Sequence, residues 1–345
     1  MDPRSLAAAV RARARDSGAD LVGIAPAILP PEPGGPEAYR DWVASGMHGT
    51  MGYMAREPAL RDSITRWFPP ARSVVLLAYS YAGRPQGPAG GDAPGQGRLA
   101  RYALSEDYHP VLRAKVRELL EWLRSVRPGT VGKPFVDTSP VLERLYARYA
   151  GLGWVGKNSM VLSPKIGSFF FLTGLAVDAE LEPDEPAPEH CGSCNRCLEA
   201  CPTDAFPAPR VLDASRCVAY FTIEHRGSVP EGFRPGVGDW VFGCDACQEV
   251  CPWNRFAEAN PAFQRRLPER LPLEELAGLT PEAFESRFGA TPLERARRQG
   301  LVRNALLAMG NAPEPRFRPV LERFAADPDP VLAEQARWSL ARLPI

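Results

Sequence analysis

The cysteines are the residues whose type and spacing most clearly indicate chemistry. All eight lie within residues 191–251, and the rest of the 345-residue chain has none. The first four follow the spacing Cys-x2-Cys-x2-Cys-x3-Cys-Pro, which is typical of thiolates that bind a [4Fe-4S] cluster. Three thiolates of such a run hold one cluster, and the fourth reaches a neighbouring cluster. This segment is therefore predicted to bind clusters and to transfer single electrons.

An interrupted second copy of the run follows as Cys-x2-Cys-x3-Cys-Pro, with one further cysteine upstream. If the two copies exchange their last thiolates, as in two-cluster ferredoxins, every cysteine is used. One cluster would then be held by Cys191, Cys194, Cys197 and Cys251, and the other by Cys201, Cys217, Cys244 and Cys247. The alternative is a pair of four-thiolate zinc sites, which would not account for the repeated C-x3-C-P. Iron analysis would separate the two hypotheses.

A glycine-rich segment matches two nucleotide-binding motifs in part. Residues 151–156 satisfy G-x-G-x-x-G, and residues 151–158 match a P-loop except that Asn158 replaces the Ser or Thr that binds magnesium. The dinucleotide motif must follow a strand, whereas residues 141–150 have a helical pattern. Asp178 lies at a sequence distance suited to a ribose-binding acid, so nucleotide binding stays an alternative. A third hypothesis is that residues 156–159, Gly-Lys-Asn-Ser, form a polar loop that holds another large cofactor.

The elements before the cysteines alternate between helical and strand patterns. This alternation favours an α/β layer architecture over residues 1–181. Residues 83–97 contain six glycines and three prolines, which predicts a surface loop that could cover an active site. Helices are predicted over residues 5–17, 39–45, 111–123 and 141–150, and strands over residues 21–24, 73–81, 133–137 and 166–177.

The remaining chain divides into a cysteine-rich segment and a helical segment. Residues 181–188, LEPDEPAP, are rich in proline and acid and predict a linker. We expect a ferredoxin-like domain over residues 182–262 and an all-α domain over residues 263–345. The last helices predict stacked hairpins like those of HEAT repeats. Helices are predicted over residues 273–279, 281–288, 293–309, 319–324 and 331–343.

Charge and hydropathy narrow the possible classes of protein. Lys and Arg number 41 and Asp and Glu number 41, so the net charge is zero and bulk charge gives no argument for a nucleic-acid partner. The N-terminus lacks the pattern of a signal peptide, and no apolar run has the ~18–20 residues of a membrane helix. We therefore expect a cytoplasmic protein without a membrane partner, in which clustered cysteines bind metal rather than form disulfides.

Several motifs together resemble one family. They are DTSPVLER from residue 137, GWVGKNSM from residue 153, the cysteine segment with CDACQ from residue 244, GMHGTMGYM from residue 46 and RYALSEDYH from residue 101. In combination they are similar to the epoxyqueuosine reductases, cobalamin-dependent iron–sulfur enzymes of tRNA modification. The resemblance covers nearly the whole chain, although the insertion at residues 83–97 departs from it.

The resemblance implies a specific reaction. Enzymes of this family reduce epoxyqueuosine to queuosine at the wobble position of the tRNAs for Asp, Asn, His and Tyr, and they consume two electrons and two protons and release water. Clusters would pass electrons to cobalamin, which carries the difficult step. An external low-potential donor such as flavodoxin or ferredoxin would supply the electrons, and the family association suggests a monomer.

The resemblance also implies site residues. Asp137 matches the general acid, although an Asp before Thr-Ser-Pro also suits a turn or a helix N-cap. His109 and His225 are candidate axial ligands of cobalt, but a lone histidine is more often structural. The residues implied for cobalamin binding carry charged or amide groups that suit its phosphate and amide fringe: Arg56, Asp137, Lys157, Asn158, Ser159, Ser215 and Asp245.

Four arginines on one predicted helix form a candidate tRNA surface: Arg295, Arg297, Arg298 and Arg303. They would contact phosphates, which position an RNA without specifying its sequence. The alternative is an ordinary solvated helix face, because the chain has thirty-seven arginines and only four lysines.

Two other functions fit parts of the sequence. The first is a corrinoid iron–sulfur reductive dehalogenase, which would not need a basic helical segment. The second is a non-catalytic two-cluster electron carrier, which would not need some 180 residues of α/β sequence before the first cysteine. Co-elution of cobalamin with the purified protein would separate the carrier from the enzymes.

Overall fold

A computed structural model describes residues 1–83 and 94–344. Most of the loop predicted over residues 83–97 thus lies outside the described residues. The α-helices are α1 (Pro3–Asp16), α2 (Pro36–Ala44), α3 (Gly52–Ala55), α4 (Ile64–Trp67), α5 (Tyr108–Val126), α6 (Glu143–Tyr149), α7 (Arg196–Glu199), α8 (Val218–Ile223), α9 (Arg234–Val237), α10 (Ala246–Glu249), α11 (Leu273–Ala277), α12 (Pro281–Phe288), α13 (Arg297–Asn311), α14 (Arg318–Ala325) and α15 (Pro330–Leu340). The strands are β1 (Leu21–Pro26), β2 (Ser73–Ser80), β3 (Gln96–Leu99), β4 (Gly132–Phe135), β5 (Trp154–Val155), β6 (Val161–Leu162), β7 (Phe170–Val177), β8 (Trp240–Phe242) and β9 (Arg270–Pro272).

A four-stranded sheet in the order β1-β2-β7-β4 forms the centre of the N-terminal half. Every neighbouring pair is antiparallel, with Leu21 opposite Ala78 and Ser73 opposite Val177. All eight residues of β2 are buried, which confirms the strand predicted from its unbroken apolar run. β7 begins four residues later than predicted, because Ser163 and Gly167 pair across a turn before it.

Helices cover both faces of this sheet and confirm the predicted layers. On one face α1 and α5 bury Val10 and Leu119 against the sheet, and on the other α6 buries Ala147. The apolar residues of α5 recur at helical spacing, and its first turn is capped by Asp107, whose side chain accepts a hydrogen bond from the His109 N–H. This cap fixes the start of α5 at the edge of the site described below.

A smaller sheet joins three distant parts of the chain. β3 pairs in parallel with β8 and antiparallel with β9. The prediction of a loop was therefore wrong for Gln96 and Gly97, which belong to β3. Gly97 is needed there, because a Cβ on it would lie 2.4 Å from the side chain of Val241.

The C-terminal helices pack around α13. Residues 300–310 of α13 are all buried, so this helix forms the centre of its layer rather than an amphipathic surface helix. The helix predicted over residues 293–309 is interrupted: a 3-10 helix spans Pro292–Ala296, and Arg297 adopts a positive φ of 59° before α13 continues. α12 matches its predicted bounds, and α14 and α15 differ from theirs by one to three residues.

The proline-rich segment of residues 181–188 has no regular element, and it is held against the N-terminal half. The Leu181 N–H donates to Ser73 Oγ (2.9 Å), and the Asp184 N–H donates to the Ile24 carbonyl (2.8 Å). Arg11 also pairs with Asp184 (3.0 Å). Within the described residues, none of the helices combines the length and apolar character that a membrane crossing requires.

Candidate active site

A cavity of about 350 Å³ lies where the N-terminal half meets the cysteine-rich segment. Tyr108 at the start of α5, Asp137 after β4 and Phe171 of β7 line it. Cys244 and Asp245 of the cysteine-rich segment line it as well. The cavity therefore brings a thiol of the cysteine segment and a candidate acid into one space.

Asp137 is held by two consecutive residues of α5. Its Oδ1 lies 2.8 Å from His109 Nε2, and its Oδ2 accepts a hydrogen bond from the Tyr108 hydroxyl. The carboxylate is 45% exposed. It lies two residues beyond the end of β4, where the chain turns towards α6. The carboxylate thus bonds to side chains at the cavity rather than to a helix N-terminus, against the N-cap alternative.

His109 lies between two carboxylates. Its Nδ1 is 2.6 Å from Asp107 Oδ1, and its Nε2 faces Asp137. Burial lowers the pKa of His109, but the hydrogen bonds that the ring donates to both carboxylates, and their negative charges, outweigh burial and raise the pKa to about 9. At neutral pH the ring is therefore an imidazolium that donates at both nitrogens.

Tyr108 provides a neutral donor beside this charged pair. Its ring stacks on Phe171, with centroids 4.3 Å apart, and on the His109 ring at 4.2 Å. Burial raises the pKa of Tyr108, and the charge of Asp137 raises it further. The hydroxyl therefore stays protonated at neutral pH and orients the carboxylate by donating to it.

The eight thiols are free and form two groups. In the first group, burial raises the pKa of Cys197, and the neighbouring thiols of Cys191, Cys251 and Cys194 raise it further. The pKa of Cys251 is likewise raised first by burial and then by Cys191 and Cys194. These four are the thiols predicted to share one cluster, and Cys194 is exposed to solvent.

The thiols of the second group are all half-buried, and none of them is exposed. Burial raises the pKa of Cys244 and Cys247, and Cys217 and Cys201 are the neighbouring thiols that raise both further. A buried thiolate needs compensating positive charge, which bound iron would provide. Among the residues that the structure describes, no three Cys, His, Asp or Glu side chains are close enough to bind a single metal ion.

One of the residues predicted to bind cobalamin lines the cavity besides Asp137, and two others adjoin a lining residue in sequence. Asp245 lines it, and burial raises the pKa of this carboxyl to about 6 although its Oδ2 accepts the Arg101 N–H. Asn158 and Ser159 precede the lining residue Met160, and the Asn158 amide reaches the Cys247 carbonyl. The Ser159 hydroxyl is buried without a partner in the described part of the chain, so it could bond to a polar cofactor.

The other candidates lie away from the cavity lining. Lys157 donates to Asn195 Oδ1 (2.8 Å), beside the first group of thiols. Ser215 bonds to Asp213 within a short 3-10 helix, and Arg56 is exposed at the end of α3. His225 bonds to the Ser228 carbonyl (2.9 Å) and faces the Tyr220 hydroxyl. Both histidines proposed as cobalt ligands thus have partners at both ring nitrogens.

The glycine-rich segment forms a hairpin rather than a nucleotide loop. It follows α6, and β5 and β6 pair across a turn in which Ser159 has a φ of 63°. A Cβ on Gly153 would lie 2.1 Å from the Leu162 carbonyl oxygen, so close strand approach explains this glycine. Asp178 accepts the Val131 N–H (3.0 Å), which is a structural role.

The predicted tRNA arginines do not share one surface. Arg303 is 1% exposed, and its guanidinium donates to the carbonyls of His225, Gly227 and Phe221. Its assignment to tRNA was therefore wrong, because the helix that carries it is buried on all sides. Arg295 and Arg297 are exposed, and Arg298 is half-buried with its Nε on the Leu279 carbonyl (2.6 Å).

The sequence prediction missed the partners of Asp137. Tyr108 received no role, and His109 was considered only as a cobalt ligand. The Tyr-His pair that follows Asp107, at the N-terminus of a predicted helix, was the sequence feature that could have indicated these partners. The pair is distant from Asp137 in sequence, so its contact with Asp137 was not predicted. Gln248 was also missed; it is buried at the cavity and its side chain accepts from Ser168 Oγ (2.9 Å).

The fold and the two thiol groups beside an acid-bearing cavity define an iron–sulfur oxidoreductase. A family model described as "4Fe-4S double cluster binding domain" matches residues 190–254, and a model described as "Epoxyqueuosine reductase QueG, DUF1730" matches residues 61–138. The epoxyqueuosine reductase of Pseudomonas aeruginosa is 40% identical over 99% of this chain and 95% of its own length. That of Xanthomonas campestris is 38% identical, again over 99% of this chain and over 97% of its own length.

Solved structures of epoxyqueuosine reductases are also similar to this chain. A crystal structure of epoxyqueuosine reductase with an epoxyqueuosine-modified tRNA-Tyr stem loop is 29% identical, with a TM-score of 0.87 over 98% of this chain and 90% of that one. The structure of the Streptococcus thermophilus enzyme gives a TM-score of 0.88 at 26% identity, over 97% of this chain and 90% of that one. The chain belongs to the epoxyqueuosine reductase family.

Proposed function

We propose that this chain reduces epoxyqueuosine to queuosine in tRNA, with electrons that pass through two [4Fe-4S] clusters to cobalamin. The observation that carries the proposal is the cavity, because Cys244 and Asp137 line the same space. A cofactor held there would be next to an electron source on one side and a proton source on the other. This arrangement suits an epoxide, whose C–O bonds need electrons and whose oxygen needs protons.

Burial of the thiols supports a direction for electron flow. The group with Cys194 reaches the surface, whereas Cys244 and Cys247 are half-buried and Cys244 lines the cavity. An external donor such as flavodoxin or ferredoxin would therefore reduce the cluster of Cys191, Cys194, Cys197 and Cys251 first. The cluster of Cys201, Cys217, Cys244 and Cys247 would pass the electron on to the cavity.

The polar groups at the cavity fit cobalamin. The unpartnered Ser159 hydroxyl and the Asn158 amide would bond to its amide side chains, and Asp245 would accept from them. When bound, the reduced cofactor would supply the two electrons that open the epoxide. Asp137, held by Tyr108 and His109, would protonate the departing oxygen.

The exposed arginines support a tRNA-binding surface near this cavity. The Arg295 guanidinium lies over the Tyr53 ring, 5.4 Å from its centroid. Burial raises the pKa of Tyr53, and the charges of Glu224 and Asp137 raise it further, so both carboxylates are near enough to act on this ring. Arg295, Arg297 and Arg298 could thus hold the phosphates of a stem loop whose wobble base enters the cavity.

The proposal keeps the predicted organisation of the chain. It includes a cobalamin-binding region over residues 1–181, a cluster region over residues 182–262 and a HEAT-like region over residues 263–345. It also includes a cytoplasmic location and a monomeric state. The packing of α14 against α15, and of α15 against α13, is consistent with helical hairpins.

Anaerobic reconstitution tests the proposed function directly. The protein, loaded with iron and sulfide, would be incubated with cobalamin, a low-potential reductant and tRNA that contains epoxyqueuosine. We expect co-elution of cobalamin and conversion of the modified nucleoside to queuosine, measured by mass spectrometry of digested tRNA. A protein that binds iron but neither cobalamin nor tRNA would instead be an electron carrier.

A further inference from the structure

The proton balance of the proposed reaction shows that one acid is insufficient. Removal of an epoxide oxygen as water consumes two electrons and two protons, and both protons end on the same oxygen. Asp137 can deliver one proton from its carboxyl group before it becomes a carboxylate. Because this inference rests on the proposed function, the question it answers is where the second proton comes from.

Two groups contact the Asp137 carboxylate, and His109 is the stronger acid of the two. Burial and the adjacent negative charge raise the pKa of the Tyr108 hydroxyl. The other group is the His109 ring, whose Nε2 lies 2.8 Å from Asp137 Oδ1, within direct hydrogen-bond distance.

The surroundings of His109 keep a proton on the ring. From α5 the ring faces the carboxylate of Asp107 at 2.6 Å and stacks on Tyr108, and from the loop after β4 it faces Asp137. The positive charge of Arg113 on α5 lowers the pKa of Asp107. The Arg113 guanidinium also donates a hydrogen bond to Thr138 Oγ1 (3.2 Å). Burial raises the pKa of Asp107, but hydrogen bonds from the His109 ring and its backbone N–H outweigh burial and lower it. Asp107 therefore stays ionised and pairs with the imidazolium.

We propose that His109 restores the proton of Asp137 within each turnover, with Asp107 holding the ring in position. Asp137 first protonates the epoxide oxygen as one C–O bond breaks and its electron pair moves to that oxygen. His109 Nε2 then transfers its proton to the Asp137 carboxylate, which passes it to the hydroxyl group as the second C–O bond breaks and water leaves. The two electrons arriving at the substrate complete the carbon–carbon double bond. Two protons from solvent, one kept on His109 and one passed through it to Asp137, restore both groups before the next turnover. His109 is a positioning residue, because it acts only through Asp137.

The proposal predicts a distinct pH dependence. Turnover of the reconstituted wild-type holoenzyme should fall as the pH rises through about 9, where His109 loses its proton. His109→Gln should keep the KM for epoxyqueuosine tRNA within about twofold, lower kcat by about 100-fold and abolish this alkaline limb. Imidazole added to His109→Gly should restore part of kcat. The control variant His225→Gln changes a ring that lies away from the cavity, and its turnover should still fall as the pH rises through about 9.

A second measurement does not depend on turnover. In protein loaded with clusters and labelled with 15N-histidine, the His109 resonances can be assigned by their loss in His109→Gln. We expect this ring to titrate near pH 9 in the wild type and at lower pH in Asp107→Asn, whose alkaline limb should move by the same amount.

The outcomes separate the proton relay from the proposed function. An active wild type whose pH profile is unchanged in His109→Gln, with no rescue by imidazole, would overturn the relay and leave the function intact. A His109 ring that titrates at its ordinary pKa of about 6.5 would overturn it whatever the protein reduces. If the wild type is inactive but the His109 ring titrates near pH 9, the result counts against the proposed function and supports the ion pairs of His109 with Asp107 and Asp137.

Discussion

The chemistry of single residues here depends on neighbours that are distant in sequence. Asp137 gains its donors from Tyr108 and His109, which are supplied by the first turn of α5. Arg303 shows the converse, because a residue with the type expected for RNA binding is used to bond buried backbone carbonyls. The residue type therefore predicted which bonds a side chain can make, and its position in the fold determines which of them it makes.

Replacement of Asp137 by Asn should stop turnover without dismantling the site. The amide keeps the size of the side chain and can still accept from Tyr108, but it cannot protonate the epoxide oxygen. We expect iron and cobalamin contents equal to those of the wild type and loss of at least about 99% of kcat. Absorption spectra and the queuosine assay measure the two effects. Retained turnover in this variant would contradict the role of Asp137.

Replacement of Arg303 by Met should destabilise the fold. It removes the donor to three buried carbonyls while keeping an unbranched side chain. We expect the free energy of unfolding to fall by more than about 3 kcal/mol, because each unpaired buried group costs about 1–3 kcal/mol. Urea denaturation measures this, and exposed Arg297→Met is the matched control, expected to change stability by less than about 0.5 kcal/mol. If the Arg303→Met protein has normal stability but binds tRNA weakly, the result would support the original prediction that Arg303 contacts tRNA.

At the scale of elements, some glycines are required because two backbone segments lie too close together for a Cβ. β1 runs so close to the end of α6 that a Cβ on Gly23 would lie 1.8 Å from the Ala150 carbonyl oxygen. The hairpin of β5 and β6 is built in the same way around Gly153. These glycines place the polar loop of Asn158 and Ser159 beside the cavity.

Gly23→Ala should therefore destabilise the protein although alanine suits a strand no worse than glycine. The added methyl group meets a backbone atom that cannot rotate away, so β1 and α6 must separate. We expect a loss of about 1–3 kcal/mol in unfolding free energy, measured by urea denaturation. Gly52→Ala is the matched control, since no described atom lies within 4 Å of its added Cβ. Equal stabilities of the two variants would contradict the close packing.

The sequence predicted those elements whose pattern is set locally. β2 was evident from its apolar run, and α12 from its cap at Thr280 and its proline start. The break at Arg297 was missed, because the apolar period continues through it while the backbone changes direction. β3 was missed because its partners, β8 and β9, lie more than 140 residues away. The two thiol groups were foreseeable because cluster motifs specify spacing, whereas the contact of His109 with Asp137 requires the tertiary fold.

At the scale of the molecule, a net charge of zero conceals a local basic region. Burial lowers the pKa of Arg226, and the nearby charge of Arg297 lowers it further, so arginines crowd together beside α13. Arg295 is partly neutralised by its two hydrogen bonds to Glu224, both 2.9 Å. Arg297 is exposed at the helix start and is the clearest candidate for a phosphate contact.

Arg297→Glu should weaken tRNA binding without loss of stability. A carboxylate is favourable at a helix N-terminus, so folding is preserved, while an attractive charge becomes repulsive. We expect about a threefold to tenfold weaker Kd at 0.1 M salt and a salt dependence reduced by about one charge. Fluorescence anisotropy with a labelled stem loop measures both. Arg117→Glu, exposed on α5, is the matched control. The same loss in both variants would show an effect of net charge rather than a contact.

The sheet of β3, β8 and β9 has a consequence for how the protein is made. β8 leaves the ribosome just before Cys244, Cys247 and Cys251. β9 and the helix α13, whose Asn304 bonds to the Val241 carbonyl at 2.8 Å, emerge later. Iron delivered to the nascent chain would meet thiols whose supporting layer has not yet been synthesised. The layer that supports these thiols is therefore complete only after α13 has been made.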